Sequence, residues 1–270
     1  MKMKKTLVVL AIAVVMQLIA CIGNSFAYVI EWNQWDLYSA IWEGDSDWGA
    51  PSIETYSNDP ISWPDPIIDN DNKARAKARR LVLKSESRAS ADGLGSIRGL
   101  SLFYGRMRIT DGLSGVTVPT DIDLNLSGVL NGVGKNFKSQ VAIAAYAYGY
   151  DIGLDNIIDN YIKTDTGLPS DFLWSHEYEL TMLPGDDRTE VDYNHHEIVT
   201  PTSGEYYYVL GGLYTEASSN RRWSTSDFYG EERSFTMSLA PSSESVVPEP
   251  ATLSLLGLGL LGLARLRRKS

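Results

Sequence analysis

The chain has 270 residues, with 24 Lys and Arg against 34 Asp and Glu, three His and one Cys, for a formal net charge of −10. A single cysteine excludes an internal disulfide and a thiolate zinc site. The acidic excess argues against nucleic acid or an anionic membrane surface as a partner.

Lys2, Lys4 and Lys5 precede an apolar run from Thr6 to Ala20, interrupted by Gln17. Ser25-Phe26-Ala27 supplies the small residues that signal peptidase requires, so residues 1–27 read as a signal peptide cleaved after Ala27. A competing reading comes from Leu18-Ile19-Ala20-Cys21, which resembles a lipobox and would make Cys21 a lipidated first residue. Cleavage after Ala27 removes the one thiol, and cysteine nucleophiles with it.

The body, residues 28–240, opens on a Trp-rich stretch, residues 28–66. Trp32, Trp35, Trp42, Trp48 and Trp63 lie there among Pro51, Pro60, Pro64 and Pro66. Two readings apply: the rings pin an irregular N-terminal segment onto the core, or they are exposed and stack on sugar rings. Asp69 to Arg80 is predicted as a short capped helix or as a continuation of the first strand. Arg80 to Ser90 alternates with the small residues Ser85, Ser87 and Ala89, and Ala91-Asp92-Gly93 is a turn signal before a second run, Ser96 to Ile109. Thr110 to Gly115 is predicted to close the next hairpin.

Thr120, Ile122, Leu124 and Leu126 alternate with Asp121, Asp123 and Asn125, the pattern of a half-buried strand. Further strands are predicted at Ser139 to Asp151, Phe172 to Met182, Glu190 to Thr200, Glu205 to Glu216 and Arg233 to Ala240, with one helical turn over Asn156 to Ile162. About 220 residues suffice for one sizeable core. Short strands separated by Gly, Pro and Asp turns predict an all-β chain, a single antiparallel β-sandwich or jelly-roll-like domain. Residues 241–247 read as a linker.

Catalytic chemistry is sparse. Neither His176-Glu177 nor His195-His196-Glu197 is a His-Glu-x-x-His motif, since Leu180 and Thr200 stand where the second histidine belongs. Zinc held by His176, His195 and His196 is disfavoured, because neighbours on one strand point to opposite faces. Glu177 and Glu179 share a strand face, but a glycosidase pair needs a cleft that spacing alone does not reveal. Asp45-Ser46-Asp47, Asp69-Asn70-Asp71-Asn72 and Asp186-Asp187 are oxygen-rich, yet none matches an EF-hand loop. The sequence therefore calls for no cofactor, weak Ca2+ being the sole candidate, and for no catalytic or metal residue. Tyr206-Tyr207-Tyr208 must place at least one ring outward on a strand.

The last element is the most specific. Pro248-Glu249-Pro250 is followed by an apolar run from Ala251 to Ala264 and by the basic residues Arg265, Arg267, Arg268 and Lys269 in the tail 265–270. The two prolines resist helix formation, so the apolar helix is predicted to start after them. Its 14 residues span about 21 Å, short of a hydrocarbon core about 30 Å thick, and Gly257, Gly259 and Gly262 weaken it further. The basic cluster would stay cytoplasmic. A permanent anchor or a buried core helix is the alternative.

This three-part order, residues 248–270, resembles the PEP-CTERM sorting signal of Gram-negative bacteria. The resemblance implies an exosortase substrate, exported with the help of signal peptidase, held transiently in the inner membrane and released to the cell surface or beyond. The texture of residues 78–150 is similar to that of many such proteins, which are linked to exopolysaccharide and biofilm matrix. Setting aside Lys2, Lys4, Lys5, Arg265, Arg267, Arg268, Lys269 and Glu249 leaves 17 basic against 33 acidic residues, a net of −16. That acidic body would meet the membrane only through its terminal signals. Three functions are then in contention: a matrix or surface protein without catalysis, which is favoured; a carbohydrate-binding module using Trp32, Trp35, Trp42, Trp48 and Trp63; and a polysaccharide-active hydrolase.

Overall fold

The computed structural model describes residues 28–44, 51–57, 73–89, 95–110, 114–133, 137–162, 167–182, 185–219 and 223–242. The expected signal peptide with Ala27 and Cys21, the residues Trp48 and Trp63, and the sorting segment all lie outside them.

Twelve strands appear within these residues. They are β1 (Val29–Glu43), β2 (Ile53–Ser57), β3 (Lys73–Arg79), β4 (Val82–Ala89), β5 (Gly95–Thr110) and β6 (Thr120–Gly132). After them come β7 (Phe137–Tyr148), β8 (Trp174–Thr181), β9 (Arg188–Val199), β10 (Tyr206–Ser219), β11 (Ser224–Phe228) and β12 (Ser234–Pro241). One helix, α1 (Leu154–Ile157), continues into a π turn, Ile158–Ile162. The strands form two antiparallel sheets. The first runs β2-β1-β5-β10-β7-β8, and the second places β3 beside β4, then β11 and β12, β6 and β9.

Two expectations are corrected here. Of the two readings of Asp69 to Arg80, the helix is overturned and the strand continuation becomes a separate strand, Lys73–Arg79: Ala74, Ala76 and Ala78 are buried while the cations between them are not, a period of two that overrides alanine's helix preference. It turns back on β4 through Arg80 and Leu81, with Leu81 at φ 58° and its carbonyl accepting from the Met237 amide at 3.0 Å. Nor do the runs flanking Ala91-Asp92-Gly93 and Thr110 to Gly115 form hairpins. β4 and β6 belong to the second sheet and β5 to the first, so consecutive strands lie in different sheets at both places. Period two tells in from out, but it is the same for a strand in either sheet.

Three strands escaped the sequence pattern, β1, β2 and β11. β1 is 15 residues long where an irregular segment was one of the readings. A bulge between Trp32 and Gln34 breaks its alternation, which puts Trp32 and Trp35 on the same inner face, their rings 4.3 Å apart. β11 and β12 share one slot between β4 and β6: Ser224–Asp227 pairs with Val129–Gly132, and Ser234–Pro241 with Thr120–Ser127. Residues 229–233 thus interrupt a single strand.

The core between the sheets has two textures. Trp35, Leu37, Phe103, Met107, Ile122, Leu124, Leu126 and Phe235 fill one part. As expected, Ile122, Leu124 and Leu126 are buried, and Asp121, Asp123 and Asn125 face out. In the other part the small residues of β4 and β11 let the backbones approach within reach of one serine. Ser101 donates to the Lys84 carbonyl at 2.8 Å, Ser139 to the Thr225 carbonyl at 2.8 Å and Ser226 to the Glu216 carbonyl at 2.6 Å, each across the two sheets. Ser85 and Ser87 meet Thr215 Oγ1 at 2.7 and 2.8 Å. Facing sheets usually lie about 10 Å apart, too far for such direct bonds.

Candidate functional site

The outward face of the first sheet is apolar as well, so this sheet is covered on both sides. Tyr38 and Trp42 of β1, Leu100 and Leu102 of β5, Tyr146 of β7 and Leu210 of β10 cluster there beneath Leu154, Ile157 and Ile158. The Tyr104 hydroxyl fixes the approach to α1: it donates to Asp151 Oδ1 at 2.8 Å and accepts from the Ile152 amide at 3.0 Å. Burial, then the bond to the Asp151 carboxylate, hold this phenol protonated well above its ordinary range. Tyr146 behaves likewise, buried and donating to Glu177.

Beside the helix the cover is incomplete and leaves a groove of about 480 Å³. Ala142, Ala144 and Gly212 line it, and their small size leaves it open. Ile157, Ile162 and Leu168 form one wall. Glu177 and Glu179 stand together at the groove, as their shared strand face predicts, but both are engaged: Glu177 accepts from Tyr146 and Glu179 from the Gln140 amide. Asp186 and Asp187 lie exposed in a turn.

The histidines divide by strand pleat. On β8, Trp174, His176 and Tyr178 point between the sheets, and on β9, Tyr193, His195 and Glu197 point back at them. His176 and His195 stack with centroids 3.7 Å apart, and Tyr178 and Tyr193 stack at 3.9 Å. The Tyr193 hydroxyl and His176 Nε2 are 2.7 Å apart, while Trp174 Nε1 donates to Glu197 Oε2 at 2.6 Å. His196 points the other way, 2.8 Å from Asp123 Oδ1. Burial, then the neighbouring His195, push the His176 pKa down; Glu197 and Glu177 pull against them. The contacts make a seam that joins an edge strand of each sheet, and no three metal-binding side chains converge among the described residues.

Two of the tryptophans proposed for sugar contact are buried. Trp35 and Trp42 are 5% and 3% exposed, one in the inner core and one under α1, so neither offers a face to a ligand. Trp32 is half-buried on Trp35, and the Arg80 guanidinium lies 4.9 Å from the Trp35 ring. Trp48 and Trp63 fall outside the described residues, as do Pro248, Glu249, Pro250, Arg265, Arg267, Arg268 and Lys269. Tyr56, Tyr150, Phe172, Tyr206 and Trp223 are the more exposed rings, and the sequence singled out only Tyr206 among them. Tyr206 and Tyr208 face out and Tyr207 faces the core, which accounts for the run of three.

Comparison with known proteins adds one firm match: residues 246–269 carry the PEP-CTERM protein-sorting motif. No curated protein matches the sequence. Among solved structures, the infectious bursal disease virus VP2 subviral particle is 12% identical, with 89% of this chain and 72% of that one covered and a TM-score of 0.12. The infectious bursal disease virus Gx strain is 13% identical over 87% and 72%, again with a TM-score of 0.12. Backbones that superpose so loosely bear on neither fold nor function.

Proposed function

We propose that this chain is an exported exosortase substrate whose β body serves, without catalysis, in a surface or extracellular matrix associated with exopolysaccharide. The carrying observation is the PEP-CTERM motif at residues 246–269. That motif implies export, membrane anchoring and exosortase processing. A 14-residue apolar run, too short to be a comfortable permanent anchor, suits a segment that is held and then cut away.

Mass spectrometry of both ends of the protein recovered from its host, separately from envelope and medium, tests the reading. An N-terminus at Tyr28 and a C-terminus at or beside Pro248-Glu249-Pro250 is the expected result. A retained Ser270 would make the apolar run a standing anchor, and a lipid mass on Cys21 would make the protein a lipoprotein.

A second reading, a carbohydrate-binding body, draws on the exposed rings of Tyr150, Phe172 and Tyr206. These rings join Trp48 and Trp63, which lie outside the described residues, as the candidates. Host polysaccharide titrated against intrinsic fluorescence tests it, and a flat titration would count against it.

A further inference from the structure

Arg106 and Arg108 are two residues apart on β5, so the pleat turns both to the outer face of the first sheet. Across the ladder they meet Tyr208 and Tyr206 of β10. The two guanidinium carbons lie 4.9 and 5.7 Å from the centre of the Tyr206 ring, and that ring is 42% exposed. Tyr208 beside it stacks on Tyr104 at 6.1 Å. The outer face at this end of the sheet is therefore a tyrosine platform, with both guanidinium groups over the partly exposed Tyr206 ring.

Among the described residues neither arginine has a carboxylate partner, and both have a buried donor without one. Arg75, Arg98, Arg188 and Arg233 each have a carboxylate in reach, at Glu86, Glu216, Glu190 and Asp227. Among the described residues no carboxylate lies within ion-pair distance of Arg106 or Arg108, although the chain carries 34 acidic residues. Glu31 is the register partner of Arg108 on β1, yet makes no ion pair with it. Asp36, the nearby acid on the same strand, is engaged by Gln34 at 3.3 Å. The Nε atoms of both arginines are buried with no hydrogen-bond partner among the described residues. Two orphan donors and two uncompensated charges on an acidic protein describe a place for an anion.

The neighbouring ring narrows the anion. A guanidinium fork takes a carboxylate in two parallel hydrogen bonds, and a tyrosine face takes the flat, apolar side of a pyranose. A uronic acid presents both on one ring. Nucleic acid is the poorer fit: its charge recurs about every 1.7 Å along the duplex, and two cations on a body this acidic would not offset the repulsion. We propose that Arg106, Arg108 and Tyr206, flanked by Tyr208, form a subsite for a uronate residue of an acidic polysaccharide. This rests on the polysaccharide-associated reading given above.

The test is affinity electrophoresis of the processed protein, as recovered from its host, through gels containing polygalacturonate, neutral dextran or the host's own polysaccharide. Phosphatidylglycerol vesicles serve as a parallel anionic surface. Polygalacturonate should retard the wild-type protein at low salt, with the effect fading as salt rises, and dextran should not. The R106Q/R108Q variant should be retarded about tenfold less or weaker still, and R106K/R108K should fall between, since lysine keeps the charge but loses the fork. Y206A should weaken binding without changing its salt dependence.

A melting temperature close to that of the wild-type protein confirms that the variants are folded. Wild-type retardation of R106Q/R108Q would overturn the subsite, as would vesicle binding as strong as polygalacturonate binding and lost in the same variant. If R106Q/R108Q still binds the host polysaccharide at full strength, the subsite falls and the matrix reading stands. If the wild-type protein binds none of the three polysaccharides, both fall.

Discussion

The imidazoles of His176 and His195 lie stacked, centroids 3.7 Å apart, although one belongs to β8 of the first sheet and the other to β9 of the second. No backbone ladder joins these two strands. Their side chains do, through the histidine stack, the Tyr178–Tyr193 stack and the Trp174–Glu197 hydrogen bond. A stacked pair tolerates one positive charge poorly and two worse.

A pH dependence follows from that contact. His176 is held below the ordinary value of 6.5 in the folded protein by burial and by His195, against the weaker pull of Glu197 and Glu177. The unfolded chain therefore binds more protons just below pH 6.5, so folding stability is complete above that value and declines as pH falls through it. Thermal melts between pH 7.5 and 5.5, set above the carboxylate range of about 4, should show a falling midpoint, with a shallower fall in H176F. Parallel slopes would assign the effect to other groups.

Gly211 on β10 faces the core opposite Phe103 on β5. A Cβ at 211 would lie 2.3 Å from Phe103 Cε1, and that ring is fully buried. Gly211→Ala should destabilise by about 1–3 kcal/mol, the usual cost of overpacking. Urea unfolding with an unchanged slope would register it.

Thr215 ties the small-residue half of the core together. Its hydroxyl bonds both Ser85 and Ser87, and Ser87 also donates to its carbonyl at 3.1 Å. Thr215→Val keeps the shape but orphans the buried Ser85 hydroxyl, while Ser87 keeps its bond to the main-chain carbonyl, which should cost about 1–3 kcal/mol. The double change with Ser85→Ala should recover part of that loss, because an unpaired group costs more than an absent one.

Trp42 and Trp223 should respond in opposite ways. Trp42 is buried under α1 and Trp223 is 40% exposed. Trp42→Ala should cost about 3–5 kcal/mol, and Trp223→Ala within about 0.5 kcal/mol. Acrylamide quenching should be reduced by removing Trp223 and hardly altered by removing Trp42.

Much of the strand content was legible because burial on one face writes itself as a period of two, as in Thr120 to Leu126. The pattern failed where the backbone broke its own period. The bulge at Trp32/Gln34 shifts every later side chain of β1 by one face, so even spacing misassigns Trp32 relative to Trp35. In β11 a five-residue strand sits next to an interruption, too short for a repeat to show. The outer tyrosines were read as ambiguous for a related reason: a sheet covered by α1 on its second face has no polar side to mark it.

By itself the sequence determined what a linear reader needs. The sorting motif at residues 246–269 is recognised as consecutive chain, proline, apolar and basic in order, and depends on no fold. It also determined which faces of most strands would be buried, since that depends on neighbours two residues away. The tertiary structure alone decided which sheet each strand joined, and so which distant residues met. His176 with His195, and Arg106 and Arg108 with Tyr206, are partners set by register between strands far apart in sequence. Register follows from packing the whole sheet at once, which no local pattern of side chains encodes.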